Sequence, residues 1–165
     1  MADELLSRDF SFDEIIEKYA DTVFRICFIF MKNNTDAEDV FQNVFLKLYE
    51  LQPTFNDADH IRAWLITVAR NECKNQLRSF WRRNVTCIDE VLLPEKTAKN
   101  SEIIGSVLRL PLRYRDILYL FYFEDYKISE LSAMLKMKES TVKTRLKRGR
   151  NLLKDELLKE GYDNV

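Results

Sequence analysis

Residues 138–150 hold six Lys or Arg side chains against one Glu, a density of positive charge that suits a polyanion rather than a small substrate. On a helix, at about 100° per residue, Val142, Leu146, Gly149 and Leu153 share one face. Ser140, Lys143, Thr144, Lys147 and Arg148 project from the other side, with Arg145 and Arg150 at other angles around the axis. A DNA major groove admits one helix, with phosphates on both walls and hydrogen-bonding base edges on its floor. Cations and hydroxyls outward, with small and apolar residues behind, fit that groove. A merely solvated basic helix would carry the same charge, but it would not need the short helix and turn that come before it. Residues 128–135 read as that short helix and 136–138 as the turn, which is helix-turn-helix spacing. Ile128, Leu131 and Leu135 are expected to back the longer helix.

A second chemically suggestive stretch covers residues 64–83. Arg70, Lys74, Arg78 and Arg82 recur every four residues and predict one positive ridge, with Trp64, Asn71 and Asn75 beside it. Cations track a phosphate backbone, while Asn and Trp can hydrogen-bond or stack on an unpaired base. The same residues also fit an ordinary amphipathic helix whose Trp anchors a core, and the sequence leaves both readings open. A third stretch, 36–49, sets Val40, Val44 and Leu48 inward with Phe41 and Phe45 beside them. Its outward Asp36, Asp39, Gln42, Asn43 and Lys47 mix acid, amide and base, which suits a protein contact as well as a solvated face.

Nothing comparable points to catalysis. His60 is the single histidine, beside Asp59 in an expected loop, and there is no phosphate-cradling Gly loop, HExxH string or nucleophile–base pair. Three cysteines, Cys27, Cys73 and Cys87, are odd in number and lack a CxxC pair, so neither a disulfide framework nor a metal site is expected. No cofactor is expected either. The acidic Met-Ala-Asp-Glu start and an apolar run at 23–31 broken by Arg25 predict neither a secretion signal nor a membrane span. A cytoplasmic protein follows by elimination.

These stretches need helices to hold them, and the apolar spacing supplies helices almost throughout the 165 residues. With 3 Gly and 3 Pro the chain has few of the tight turns an all-β fold requires. Helices are expected over 12–31, 36–48 and 61–81, with a loop at 52–59. Residues 84–101 lose the periodicity and gather Thr, Asp, Glu, Pro94, Lys and Asn, which reads as a linker. A second helical unit begins near Glu102, with helices over 112–123, 128–135 and 139–159. The expectation is an all-α chain of two small domains, 10–85 and 102–160, joined by a flexible linker at 86–101. The net charge of −1 divides accordingly: −3 over residues 1–85, −1 over 86–101 and +3 over 102–165. The average conceals the basic patch.

Five strings resemble the extracytoplasmic-function type of bacterial sigma factor, the promoter-recognition subunit of RNA polymerase. They are DAEDVFQNVFLK from Asp36, RAWLITVARN from Arg62, LPLRYR from Leu110, FEDY from Phe123 and STVKTRLKRGR from Ser140. Their order and spacing hold over roughly residues 10–160. The resemblance implies that the first unit binds the polymerase clamp through Asp36, Asp39, Gln42, Asn43 and Lys47. It also implies that this unit captures melted minus-ten bases through Phe55, Trp64, Arg70, Asn71, Lys74, Asn75 and Arg78. In the loop before the long helix, Phe55 would supply a stacking wall. The second unit would sit on the polymerase flap and read the minus-thirty-five duplex through Ser140, Lys143, Thr144, Arg145, Lys147, Arg148 and Arg150. Core RNA polymerase, promoter DNA and an anti-sigma factor are the implied partners.

The sequence departs from the family pattern at three places. Asn75 stands where Asp is frequent, Lys136 where the turn usually has Gly, and Ser132 where the crossing helices usually have Ala. Two other functions remain compatible with parts of the chain. An autonomous helix-turn-helix regulator would account for the basic helix but leave the first unit unexplained. A helical interaction module would make both basic faces incidental.

Overall fold

The computed structural model describes residues 10–82 and 101–161, which form two compact units of helices with no strand among the described residues. The first unit contains α1 (Phe12–Met31), α2 (Asn34–Leu51) and α3 (Ala58–Arg82), each packed on the other two. Its core is the apolar face of each helix: Ile15, Val23 and Ile26 from α1, Val40, Val44 and Leu48 from α2, and Ile61, Leu65 and Ile66 from α3.

Local chemistry sets the helix ends. Ser11 and Glu14 form a reciprocal capping box at the start of α1, with Glu14 N–H donating to Ser11 Oγ at 3.3 Å and Ser11 N–H to Glu14 Oε2 at 2.9 Å. Asn33 caps α2 by accepting from Asp36 N–H at 2.8 Å. That cap starts α2 at Asn34, two residues before the periodic apolar row suggests. The Tyr19 hydroxyl donates to the Ala58 carbonyl at 3.0 Å and so ties α1 to the beginning of α3. Because α3 starts at Ala58, His60 lies in its first turn and not in a loop. Cys27 and Cys73 are buried and neither is in a disulfide, and Cys87 lies outside the described residues, as does almost all of the expected linker.

The second unit contains α4 (Ser101–Leu108), α5 (Leu112–Tyr122), α6 (Ile128–Leu135) and α7 (Glu139–Lys159). Helix α7 packs against all three others. Pro111 precedes α5 as its cap residue, where a missing N–H costs nothing. Arg115 is buried and donates from Nη1 to the carbonyls of Leu110 at 3.1 Å and Leu108 at 3.4 Å. It thereby satisfies acceptors at the end of α4. Burial pushes the Arg115 pKa down to about 10, opposed by neighbouring Asp116, so it remains a cation at neutral pH. The Ser106 hydroxyl donates to Glu160 Oε2 at 2.9 Å and Arg109 pairs with the same carboxylate, joining α4 to the end of α7.

Candidate nucleic-acid interface

Helix α7 divides as its residue angles require. Val142, Leu146 and Gly149 are buried, whereas Ser140, Lys143, Thr144, Lys147, Arg148 and Arg150 are exposed. The turn before it is closed by two bonds between the same residues. Met137 N–H donates to the Ser132 carbonyl at 3.1 Å, and the Ser132 hydroxyl donates to the Met137 carbonyl at 2.5 Å. Lys136 sits between them in the left-handed region, φ 52°. Upstream, Glu130 Oε2 accepts from Lys127 N–H at 2.7 Å and closes the first turn of α6.

The backing of α7 is shared differently from the expectation. Leu131 of α6 is fully buried, but Ile128 and Leu135 are only half-buried. The Gly149 end lies against α5, where an added Cβ would stand 3.1 Å from Leu118 side-chain atoms and 3.4 Å from Tyr114 Cβ. A glycine here lets two helices approach closely, and their approach sets the tilt of the exposed face. Thr144 Oγ1 donates to the Ser140 carbonyl at 2.9 Å. Its hydroxyl proton is thus used within the helix, leaving the methyl and the oxygen lone pairs outward. Arg150 Nη1 donates to the Tyr122 hydroxyl at 3.2 Å, so Arg150 is steered toward α5. Arg145 is half-buried. Together with Arg148, Ser140, Thr141 and Thr144 it lines a cleft of ≈ 320 Å³ whose opposite wall is Arg113 and Tyr114 of α5.

The first unit brings together only part of the expected minus-ten set. Asn71, Asn75, Arg78 and Arg82 are exposed on one face of α3, and Lys74 is half-buried at its edge. Arg70 does not belong to that face, because it is buried to 4% exposure. The expected ridge fails for a geometric reason: each four-residue step advances about 40° around the axis. The series therefore starts in the core at Arg70 and reaches solvent only near Arg78. Phe55 also departs from expectation. It is 6% exposed, held edge-on by His60 at 5.3 Å and by Trp64 at 5.8 Å between ring centroids. His60 Nδ1 accepts from Asn56 N–H at 3.2 Å, and His60 N–H donates to Asp57 Oδ1 at 2.7 Å. Phe55 is thus the anchor of the loop and not its stacking surface, and half-buried Trp64 covers it.

On α2, Asp39, Gln42 and Asn43 are exposed as expected. Asp36 instead accepts from Asn33 Nδ2 at 2.6 Å and belongs to the cap. Lys47 is paired with Glu72 of α3.

Residues 15–83 match the Sigma-70 region 2 family and residues 101–153 match the Sigma-70, region 4 family. The chain belongs to the extracytoplasmic-function sigma factors. It is 25% identical over 166 residues to the ECF RNA polymerase sigma factor SigW of Bacillus subtilis, with 89% of each chain covered. It is 28% identical over 152 residues to SigM of the same organism, covering 86% of this chain and 92% of that one. Its fold resembles that of the sigma factor RpoE solved in complex with the anti-sigma factor NepR from Bartonella quintana. The TM-score is 0.77 at 21% identity, covering 88% of this chain and 96% of that one. As a sigma factor, the chain initiates transcription at promoters.

Three features of this sigma factor escape a reading of charge and periodicity. Arg113 joins the basic cleft from a different helix, a juxtaposition that no spacing within α7 announces. Leu46 and Tyr49 are 53% and 52% exposed on α2. With Phe12, Ile16, Phe41 and Phe45 they line an apolar groove of ≈ 360 Å³, directly beside the polar residues expected to meet a protein. In the second unit Ile103, Val107, Leu118, Tyr122, Phe123 and Leu157 line a larger apolar groove of ≈ 570 Å³, with Arg150 and Lys154 among its lining residues. Apolar residues outside a helix's buried row were the available signal, and Leu46, Tyr49 and Ile103 carry it. Among the described residues no helix is long and apolar enough to cross a membrane.

Proposed function

We propose that this sigma factor divides promoter recognition between two surfaces and polymerase docking between two grooves. The exposed face of α7 reads the minus-thirty-five duplex, with Lys143, Thr144 and Lys147 toward the base edges. Arg113, Arg145 and Arg148 hold one backbone phosphate between α5 and α7. The exposed face of α3, through Asn71, Asn75, Lys74 and Arg78, addresses melted minus-ten bases, and the Phe55–Trp64 cluster fixes the loop before it. The α1–α2 groove, which Gln42 helps to line, meets the polymerase clamp together with exposed Asp39 and Asn43 of α2, and the groove beside α4 meets the flap. An anti-sigma factor is the inferred regulator, and the cytoplasm the inferred location. The observation that carries this reading is the sorting of α7, in which Val142, Leu146 and Gly149 are buried while Ser140, Lys143, Thr144, Lys147 and Arg148 face solvent.

The test is run-off transcription with purified core polymerase from templates randomised over the upstream element. Wild type should select a short upstream motif. Arg113→Ala should weaken all templates alike and lower the salt slope of binding by about one counterion, as loss of a phosphate contact does. Lys143→Ala should instead relax preference at one or two positions, since a good base contact carries about 1–3 kcal/mol of discrimination. Tight selection of duplex without polymerase would point to an autonomous regulator and overturn the reading.

A further inference from the structure

Trp81 is the most exposed large apolar side chain among the described residues, at 79%. It lies in the last turn of α3, where it anchors no core. Around the helix axis it falls in one strip with Lys74 and Arg78, seven and three residues before it, and Arg82 follows it directly. Between Asn71 and Arg82 the helix carries three cations, Lys74, Arg78 and Arg82, and one acid, Glu72. Glu72 is paired with Lys47 of α2. The indole thus closes a strip whose neighbouring charges are positive, which fits a polyanion with flat faces.

We propose that Trp81 stacks on an unpaired promoter base while Arg78 and Arg82 hold the phosphates on either side of it. This rests on the assignment of the α3 face to melted DNA. Trp81 lies about 9 Å beyond Asn75 along the helix at 1.5 Å per residue. That is two to three steps of a strand stacked at about 3.4 Å. Six residues also turn the helix by about 120°, so the base it takes lies a few nucleotides from those addressed by Asn75, with Arg78 between them around the helix. Every base has a stackable face, so this contact adds grip and leaves sequence preference unchanged.

The experiment uses the full chain assembled with core polymerase, comparing wild type, Trp81→Ala, Trp81→Phe and Asn75→Ala. Templates are intact or carry one abasic nucleotide at successive positions through and beside the melted segment. Trp81→Ala should shorten the open-complex lifetime by about fivefold or more, the scale of one lost base–aromatic stack, and Trp81→Phe should retain most of it. One abasic position should reproduce the loss in wild type and cause no further loss in Trp81→Ala. Core affinity and thermal midpoint should not move, because the side chain is in solvent. Open complexes of unchanged lifetime, or abasic losses that add to Trp81→Ala at every position, overturn the proposal. Weakened core binding by Trp81→Ala overturns it as well, since the indole would then be a protein contact. Asn75→Ala separates the two levels. If Asn75→Ala forms normal open complexes, the α3 assignment itself fails. If only the Trp81 variants behave as wild type, this inference alone fails.

Discussion

Arg70 and Asn75 stand on the same helix, and both look like nucleic-acid contacts in a linear reading, yet one is core and the other surface. The difference is angular. Four residues overshoot one turn, so a run of cations at that spacing winds around the helix instead of marking one side. Arg70 lies among Ile66, Ala69 and Cys73 and must have its charge answered inside the unit. Arg70→Ala should therefore act on folding, lowering stability by about 2 kcal/mol or more. That corresponds to a fall in thermal midpoint of roughly 8 °C or more for a unit of this size. Asn75→Ala should leave the midpoint within about 2 °C and reduce open-complex formation. Calorimetry on both variants, paired with transcription by the same preparations, checks the split; a destabilised Asn75→Ala or a stable Arg70→Ala contradicts it. Phe55 teaches the same lesson from the apolar side. Its residue type suits stacking on a base, but only the fold reveals that it is buried with Trp64 and His60 packed against it. Residue identity gave the chemistry of the site, and accessibility had to come from packing.

At the scale of the element, the turn between α6 and α7 joins two departures from the family pattern that look unrelated in the sequence. Lys136 adopts φ 52°, where a side chain costs about 1 kcal/mol relative to Gly. Ser132, four residues earlier, turns its hydroxyl onto the Met137 carbonyl. The serine thus restrains the turn that the lysine strains. Ser132→Ala should remove about 1 kcal/mol of stability, and Lys136→Gly should restore part of it. Denaturant titrations of wild type, both single variants and the double variant give the coupling directly. If Ser132→Ala has the same effect in wild type as in the Lys136→Gly background, the two are independent. Element positions were largely legible beforehand, since α5, α6 and α7 follow from apolar periodicity, Pro111 and the break at 136–138. The beginnings of α2 and α3 were not. Asn33 and Asp57 act through side-chain bonds to backbone N–H groups, and such bonds leave no trace in hydrophobic spacing.

For the whole molecule the decisive quantity is how charge and surface are shared between the two units. The first carries −3 over residues 1–85 and the second +3 over residues 102–165, so any attraction to DNA must come from local patches and not from net charge, and each surface alone is expected to bind weakly. Among the described residues the first unit exposes Arg78 and Arg82 on one face of α3 and Lys18 on α1, and the second unit exposes more cations on α7 than on any other helix, with Arg113 beside them. Two weak surfaces joined by a linker gain from each other only when both sites are presented at a separation the linker can span. The effective concentration of the second contact is then set by the linker and not by either affinity. Duplex promoter DNA presents the minus-thirty-five element but keeps the minus-ten bases paired, so the free protein can use only one of its two surfaces. On the proposed reading, docking both grooves on polymerase would fix the separation, and melting would supply the missing bases. The isolated chain should therefore bind promoter duplex weakly at physiological salt and discriminate poorly against unrelated DNA. A pre-melted template should improve its binding only modestly, because the spacing is still unfixed. Adding core polymerase should raise discrimination by orders of magnitude more than it raises affinity for unrelated DNA. Fluorescence anisotropy on duplex, pre-melted and unrelated DNA, with and without core and at two salt concentrations, measures each step. Tight and selective binding of duplex by the chain alone would mean that α7 suffices, and that the first unit serves something other than promoter capture.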